Sequence, residues 1–180
     1  MKLIIELLKS EEERAENLAT ALGFNDFRPG RHVLRDERNW KSGEIDVART
    51  WVGFRIPSFI ATTAVMRFDI TTHKQKDKEQ GAYRLTGICD FDRNSAEPKN
   101  LRTHREALGE DAVINLLTTP PLNNQEWRLT LDGIGYILAV QTMTLNSVIT
   151  FYNPKEQSLV KLIEELEKLM EQPNTQLSQL

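Results

Sequence analysis

Two pairs of carboxylates are the residues of this 180-residue chain that are best spaced to do chemistry. Glu44 and Asp46 stand two apart where one strand is predicted to begin, and Asp90 and Asp92 stand two apart where another is predicted to end. Residues two apart on a strand point the same way, so each pair can present its oxygens together. Carboxylate oxygens at one sheet edge could hold Mg²⁺. The four residues therefore define one candidate catalytic site, that of a Mg²⁺-dependent nuclease or phosphohydrolase.

The first of these pairs lies in Glu44-Ile45-Asp46-Val47, which resembles the acidic strand of some metal-dependent nucleases. Nucleases of that type place a Glu-x-Lys on the next strand, whereas the corresponding stretch here is Phe54-Arg55-Ile56. The other interpretation of both pairs is that they are solvated strand ends. We therefore keep catalysis as an alternative, and the main prediction assigns no catalytic residue.

The histidines and the cysteine do not form a metal or nucleophile motif. His32, His73 and His104 are far apart in the sequence, and no pair has ligand spacing. Cys89 stands alone on the apolar side of an alternating strand, which favours a buried structural thiol. No glycine-rich phosphate loop and no dinucleotide fingerprint occurs. We predict neither a metal nor a cofactor.

An arginine-rich segment is the stronger candidate for function. From Arg28 to Arg55 there are seven bases and four acids, a net charge of +3 in a chain whose formal charge is −3. Arginine suits bidentate recognition of carboxylates and phosphates, and tryptophan and arginine are enriched in binding hot spots. The competing interpretation is a loop held by its own Arg–Asp/Glu pairs. The candidate binding residues are Arg28, Arg31, Arg35, Arg38, Trp40, Arg49, Trp51 and Arg55.

These observations predict a non-enzymatic binding or regulatory module. The negative net charge favours a protein partner over a nucleic acid. Trp51, Gly53 and Arg55 share one side of their strand and are expected to extend the binding surface of the arginine segment. The alternatives are the Mg²⁺-dependent hydrolase and a carrier of a small apolar ligand. A homodimer through the last helix is a further alternative.

Composition and length favour one globular domain. Hydrophobic residues make up 39% of the chain and charged residues 27%, which is typical of a folded protein. We predict a single domain over residues 1–172 and a flexible tail over 173–180. No apolar run is long enough to span a membrane, and the N-terminus lacks a signal-peptide cleavage pattern. The single cysteine favours the reducing cytoplasm.

Hydrophobic periodicity predicts an α+β fold. The alternating segments are expected to form a mainly antiparallel sheet of about five to seven strands. One face of this sheet would pack against N-terminal and C-terminal amphipathic helices, and curvature around the last helix would leave a pocket. The helices are predicted over residues 11–22, 103–117 and 155–170, with Ser10 and Asn153 as caps. The strands are predicted over residues 44–56, 59–70, 82–92, 126–131, 134–141 and 145–152, with a loop over 25–42, a linker over 73–80 and a tight turn at Asp132-Gly133.

Overall fold

The computed structural model describes residues 2–34, 43–57, 61–72, 81–118, 134–142, 146–152 and 157–172. These residues form an α+β fold, as predicted. The helices are α1 (Lys2–Ala21), α2 (Ala112–Thr118) and α3 (Gln157–Met170). The strands are β1 (Gly30–Leu34), β2 (Gly43–Pro57), β3 (Thr62–Thr72), β4 (Ala82–Phe91), β5 (Lys99–Ala107), β6 (Ile134–Thr142) and β7 (Asn146–Tyr152).

All seven strands belong to one antiparallel sheet built around β2. The order across the sheet is β5-β4-β3-β2-β6-β7. β3 occupies one edge of β2 along nearly its whole length. The other edge is shared, because β1 pairs with the first part of β2 and β6 pairs with the second part. β1 is a strand within the segment that was predicted to be a loop.

An irregularity in β2 changes which side of the sheet its residues face. The register with β3 shifts between Val47 and Arg49, so Ala48 is an extra residue in the strand. Val47 therefore belongs to one hydrophobic core and Trp51 to the other.

The sheet is covered on both faces, which corrects the prediction that both terminal helices share one face. α1 packs on a first face whose core includes Val52, Phe54 and Met66. α2 and α3 pack on a second face whose core includes Trp51 and Val65. Neighbouring residues of β2 and β3 are thus apolar on opposite sides, so neither side can be left in water.

The amphipathic stripe of α3 packs on the sheet rather than on another α3 in a coiled coil. Leu159, Leu162, Leu166 and Leu169 belong to the core of the second face. A Cβ atom placed on Gly53 would lie 2.9 Å from Cδ2 of Leu166, so the helix sits directly on β2 at that point. This close packing leaves no room for an apolar ligand between α3 and Gly53.

The start of α1 was predicted wrongly and its end correctly. The helix begins at Lys2, and Ser10, which was expected to cap it, lies inside it and donates a hydrogen bond to the Glu11 carboxylate. Good helix formers precede Ser10, and they let the helix extend past the capping pattern. At the other end Gly23 has φ 90°, and the Phe24 amide donates to the Ala19 carbonyl. This is the six-residue bond of a Schellman cap.

Residues 103–107 were predicted to begin a helix and instead belong to β5. The Thr-x-x-Glu pattern at Thr103 is a local signal, whereas pairing with β4 satisfies a whole row of backbone groups. The helix in this region is only α2. Asp111 caps it, since its Oδ1 accepts hydrogen bonds from the amides of Val113 (3.0 Å) and Ile114 (3.3 Å).

The predicted hairpin turn at Asp132-Gly133 lies outside the described residues, as do the strand predicted over 126–131, the linker, the Asn153 cap and the tail. In the described residues, β6 is bonded to β2 on one edge and to β7 on the other, from Gly135 to Gln141. The β6–β7 meander is confirmed.

Two arginines fasten helices to loops and strands far away in the sequence. Arg14 of α1 donates to the carbonyls of Asp92, Arg93 and Ser95 in the β4–β5 turn, and also to Glu11. Arg102 of β5 donates to the carbonyls of Met170 and Gln172 at the C-terminus of α3. A cation at that position also suits the helix dipole.

None of the described helices is long and apolar enough to cross a membrane.

The approach of α1 to β4 at Gly87 gives a testable prediction. A Cβ atom on Gly87 would lie 2.5 Å from Cδ1 of Leu22. We expect Gly87→Ala to lower the free energy of unfolding by about 1–3 kcal/mol, as overpacking of a core does. In a Leu22→Ala background the same substitution should cost much less, because the clashing atoms are gone. Urea unfolding of the four proteins measures this coupling, and an equal cost in both backgrounds would contradict it.

Candidate functional site

Charged and polar side chains form two parallel rows across four strands on the second face of the sheet. In the first row Arg49, Asp69, Arg84 and Glu106 stand directly opposite one another on β2, β3, β4 and β5. The second row, two residues along each strand, is Trp51, Arg67, Thr86 and His104. We call the six ionised groups the arginine–carboxylate cluster: Arg49, Arg67, Arg84, Asp69, Asp111 and Glu106.

Asp69 and Arg84 form the well-bonded centre of this cluster. Oδ1 of Asp69 accepts a hydrogen bond of 2.8 Å from Nε of Arg84, and Oδ2 accepts two from the guanidinium of Arg49. The remaining nitrogens of Arg84 donate to the carbonyls of Gly109 and Glu110. Arg84 therefore ties the β5–α2 loop to the sheet while its own donors are satisfied.

The electrostatics keep Arg84 charged although it is buried. Burial alone would lower the pKa of its guanidinium. The hydrogen bond and charge of Asp69, together with the charges of Asp111 and Glu106, outweigh that effect and raise this pKa above its ordinary value. Burying a charge is favourable only when it is paired and hydrogen-bonded, and Arg84 meets both conditions.

Asp111 connects the cluster to α2 and to Trp51. Besides capping α2, its carboxylate accepts a hydrogen bond of 2.9 Å from Nε1 of Trp51 through Oδ2. The same oxygen lies 3.6 Å from Nη1 of Arg67 and 3.7 Å from Nε of Arg84. One buried carboxylate thus fixes a helix start, an indole and two guanidinium groups.

Arg67 is bonded far less completely than its neighbours. Its side chain is only 8% exposed, yet Nη2 lies 3.5 Å from Glu106 and Nη1 3.6 Å from Asp111. Among the described residues its Nε has no hydrogen-bond partner, and neither has the hydroxyl of Thr86, which stands opposite it on β4. Two orphaned polar atoms on neighbouring strands make this the chemically unusual part of the cluster.

The structure buries one of the predicted binding residues and holds another in an ion pair. Trp51 is 1% exposed and packs in the core of the second face, so the expectation that it belongs to an accessible surface is corrected. Arg49 is held by Asp69. The side of β2 expected to continue the arginine segment is covered, because α2 and α3 pack over it.

Arg55 is engaged as well, at the other end of this face. Its Nε donates to Oε1 of Glu167 on α3 at 3.2 Å, and the hydroxyl of Tyr136 donates to the same oxygen at 2.6 Å. Burial and the neighbouring Glu167 carboxylate raise the pKa of Tyr136. The arrangement links α3 to β2 and β6.

Among the predicted binding residues that the structure describes, those at the start of the arginine segment have exposed side chains. Arg28 is exposed, and the side chain of Arg31 on β1 is 66% exposed with Asp46 3.8 Å away. Arg35, Arg38 and Trp40 lie outside the described residues. The predicted binding residues therefore do not form a single surface in the part of the chain that the structure describes.

The structure does not bring the two carboxylate pairs together. Asp46 pairs with Thr71 at one end of β3, whereas Asp90 pairs with Thr63 at the other end. At the usual rise per residue of a strand, Thr63 and Thr71 are about 25 Å apart. Asp90 accepts hydrogen bonds from Thr63 and Asn100. Asp92 pairs with Lys99, and the side chain of Glu44 lies outside the description. Among the described residues no three His, Cys, Asp or Glu side chains form a metal-ligand group.

The sequence prediction missed the residues of the cluster because they come together only through the strand pairing that forms the two rows. Charged and polar residues such as Arg67, Asp69, Arg84 and Thr86 usually mark the solvent side of a strand, so the sequence pattern did not single them out. β3 is in fact central, and all four are buried. The only sequence signal is that opposite charges recur within otherwise apolar strands.

Comparison with protein-family models, curated proteins and solved structures found no match.

Removing the charge at the centre of the cluster should be costly. Asp69→Asn leaves the buried Arg84 and the partly exposed Arg49 without their shared anion, so we expect the free energy of unfolding to fall by about 3–5 kcal/mol. The control is Asp92→Asn, the same change in the exposed Lys99–Asp92 pair. That control should leave stability nearly unchanged, because solvent screens the pair. Equal losses in chemical denaturation would show that Asp69 is not the centre of the cluster.

Cys89 provides a prediction about pH. Burial, followed by the charge of Asp90, raises the pKa of its thiol to about 12. The unfolded chain has the lower thiol pKa and so loses its proton first. Stability should therefore be unaffected by this group below about pH 8 and should fall as pH rises toward 12. Cys89→Ala should remove that part of the alkaline decline in thermal melts, and an unchanged decline would contradict the assignment.

Proposed function

We propose that the protein is a non-enzymatic binding module that engages an acidic segment of a protein partner through Arg28 and Arg31. The observation that supports this proposal is the division among the predicted binding residues. Arg49, Trp51 and Arg55 are each held by a carboxylate of the protein itself. Arg28 and Arg31 keep exposed side chains at the β1 end of the sheet.

Arg31 is free to exchange its partner. Its ion pair with Asp46 spans 3.8 Å between two exposed side chains, and such pairs contribute little to stability. A partner carboxylate could form a closer bidentate contact with the guanidinium. The neighbouring backbone is well held, because β1 pairs with β2 over five residues and His32 is buried beneath it.

The net charge of −3 favours a protein over a nucleic acid as the partner, since nucleic-acid binding usually relies on an extended basic surface. A cytoplasmic location belongs to the same proposal. Its support is the single cysteine, which is buried and free.

Charge reversal tests this surface. We expect Arg28→Glu/Arg31→Glu to reduce partner recovery in affinity purification from the native host by about tenfold, because like charges then face each other. Its control is Arg93→Glu/Lys161→Glu, which makes the same charge change at exposed positions of the β4–β5 turn and α3. The control should keep the partner, and both proteins should keep their melting temperature.

Three results would contradict the proposal. Equal recovery with both double variants would show that Arg28 and Arg31 do not contact the partner. Recovery that disappears after nuclease treatment would show that the partner is a nucleic acid. A loss of melting temperature confined to the Arg28/Arg31 variant would assign these arginines a structural role.

A further inference from the structure

We propose that the second face of the sheet carries a carboxylate-binding site, in which Arg67 and Thr86 hold the ligand and Glu106 is the internal carboxylate that the ligand displaces. The ligand is a small molecule or peptide group that bears a single negative charge. This site is independent of the surface at Arg28 and Arg31, because it lies on β3, β4 and β5.

The first support is the state of the Arg67 guanidinium. A charge-assisted hydrogen bond normally spans about 2.7–2.9 Å. The nearest carboxylate oxygens lie 3.5 and 3.6 Å from its terminal nitrogens, and its Nε has no partner among the described residues. Arg84, on the neighbouring strand, has a hydrogen bond on each of its three side-chain nitrogens. Arg67 is therefore a buried cation whose Nε–H is available to a ligand.

The second support is the position of Thr86. Its hydroxyl is completely buried and lacks a hydrogen-bond partner in the described part of the chain. It stands directly opposite Arg67 in the β3–β4 register. Leaving a buried polar group unpaired typically costs about 1–3 kcal/mol, so two orphaned groups at one place call for a shared partner. A carboxylate can accept from both, since each of its oxygens has two lone pairs.

The third support is the exposure and loose contact of Glu106. Its side chain is 35% exposed on the outer strand β5, and Oε1 lies 3.5 Å from Arg67 and 3.6 Å from Arg84. His104 is the other half-exposed group here, with Nε2 3.7 Å from Oε2 of Glu106. Glu106 thus neutralises the arginines without a close bond and can swing toward solvent.

The charge balance indicates the class of ligand. Arg49, Arg67 and Arg84 contribute +3, while Asp69, Asp111 and Glu106 contribute −3, which sums to zero. When Glu106 moves away, the remaining charge is +1. A monoanion restores neutrality, whereas a phosphate dianion would leave an excess negative charge in a buried place. We therefore assign a carboxylate rather than a phosphate.

Acetate and inorganic phosphate are the probes, titrated at constant ionic strength while the ¹⁵N–¹H signal of the Arg67 Nε–H is followed by NMR. The Arg67→Lys variant identifies that signal by its loss. We expect acetate to shift it saturably, with Glu106→Gln tightening binding about tenfold because the competing charge is gone. Thr86→Val should weaken binding about tenfold, because it removes one donor. Glu110→Gln is the control, since Glu110 is exposed and only its backbone carbonyl contacts the cluster.

Each result decides the proposal. The proposal is supported if acetate binds most tightly to Glu106→Gln and most weakly to Thr86→Val, while Glu110→Gln binds it as the wild type does. Tighter binding of phosphate than of acetate overturns the assigned ligand class. No saturable shift, or equal affinities in all variants, overturns the site, and a lower melting temperature of ligand-free Thr86→Val would then show that the hydroxyl has a structural partner. Should Arg67→Lys fail to fold, the other two variants suffice, because Glu106 is half-exposed and Thr86→Val preserves shape.

Discussion

The bonds from Asp69 to Arg84 and Arg49 are the interaction on which the second face depends. They put opposite charges side by side on three adjacent strands, in the interior of the protein. Arg84 then reaches the carbonyls of Gly109 and Glu110 and thereby fixes the loop that leads to Asp111. A shift in the register of β2, β3 or β4 would separate Asp69 from its arginines and leave Arg84 buried without its closest anion, so this row favours the observed register.

Burial of both faces explains why the rest of the architecture takes its form. β2 and β3 carry apolar residues on each side, so the sheet requires one cover from the N-terminal helix and another from the C-terminal helices. Trp51 shows how the charged and apolar parts join, since its ring lies in the core while its Nε1 donates to Asp111. The guanidinium of Arg67 also lies 5.7 Å from the centre of that ring.

The sequence could predict what depends on local pattern. Period-two alternation identified β2, β3, β4, β6 and β7 but missed β1 and β5, and the end of α1 was predicted to within one residue. It could not predict the cluster, because Asp69 and Arg84 meet only after the pairing of β3 with β4 is fixed. Because charged residues are usually exposed, nothing in the local pattern indicated that Arg84 is buried. The pattern at Thr103 predicted the start of a helix, but pairing with β4 makes these residues a strand. The burial of Trp51 likewise depends on which face α3 covers, and no local pattern encodes that choice.

The contacts of Arg14 have a consequence for the order in which the chain folds. Its guanidinium in α1 bonds the carbonyls of Asp92 and Arg93, 78 and 79 residues later, and that of Ser95, 81 residues later. During synthesis α1 leaves the ribosome first, yet its docking partners do not exist until the β4–β5 turn has been translated. Long-range contacts of this kind slow folding. The N-terminal helix is therefore synthesised early but docks late, because its apolar stripe has no surface to pack against until the sheet has formed.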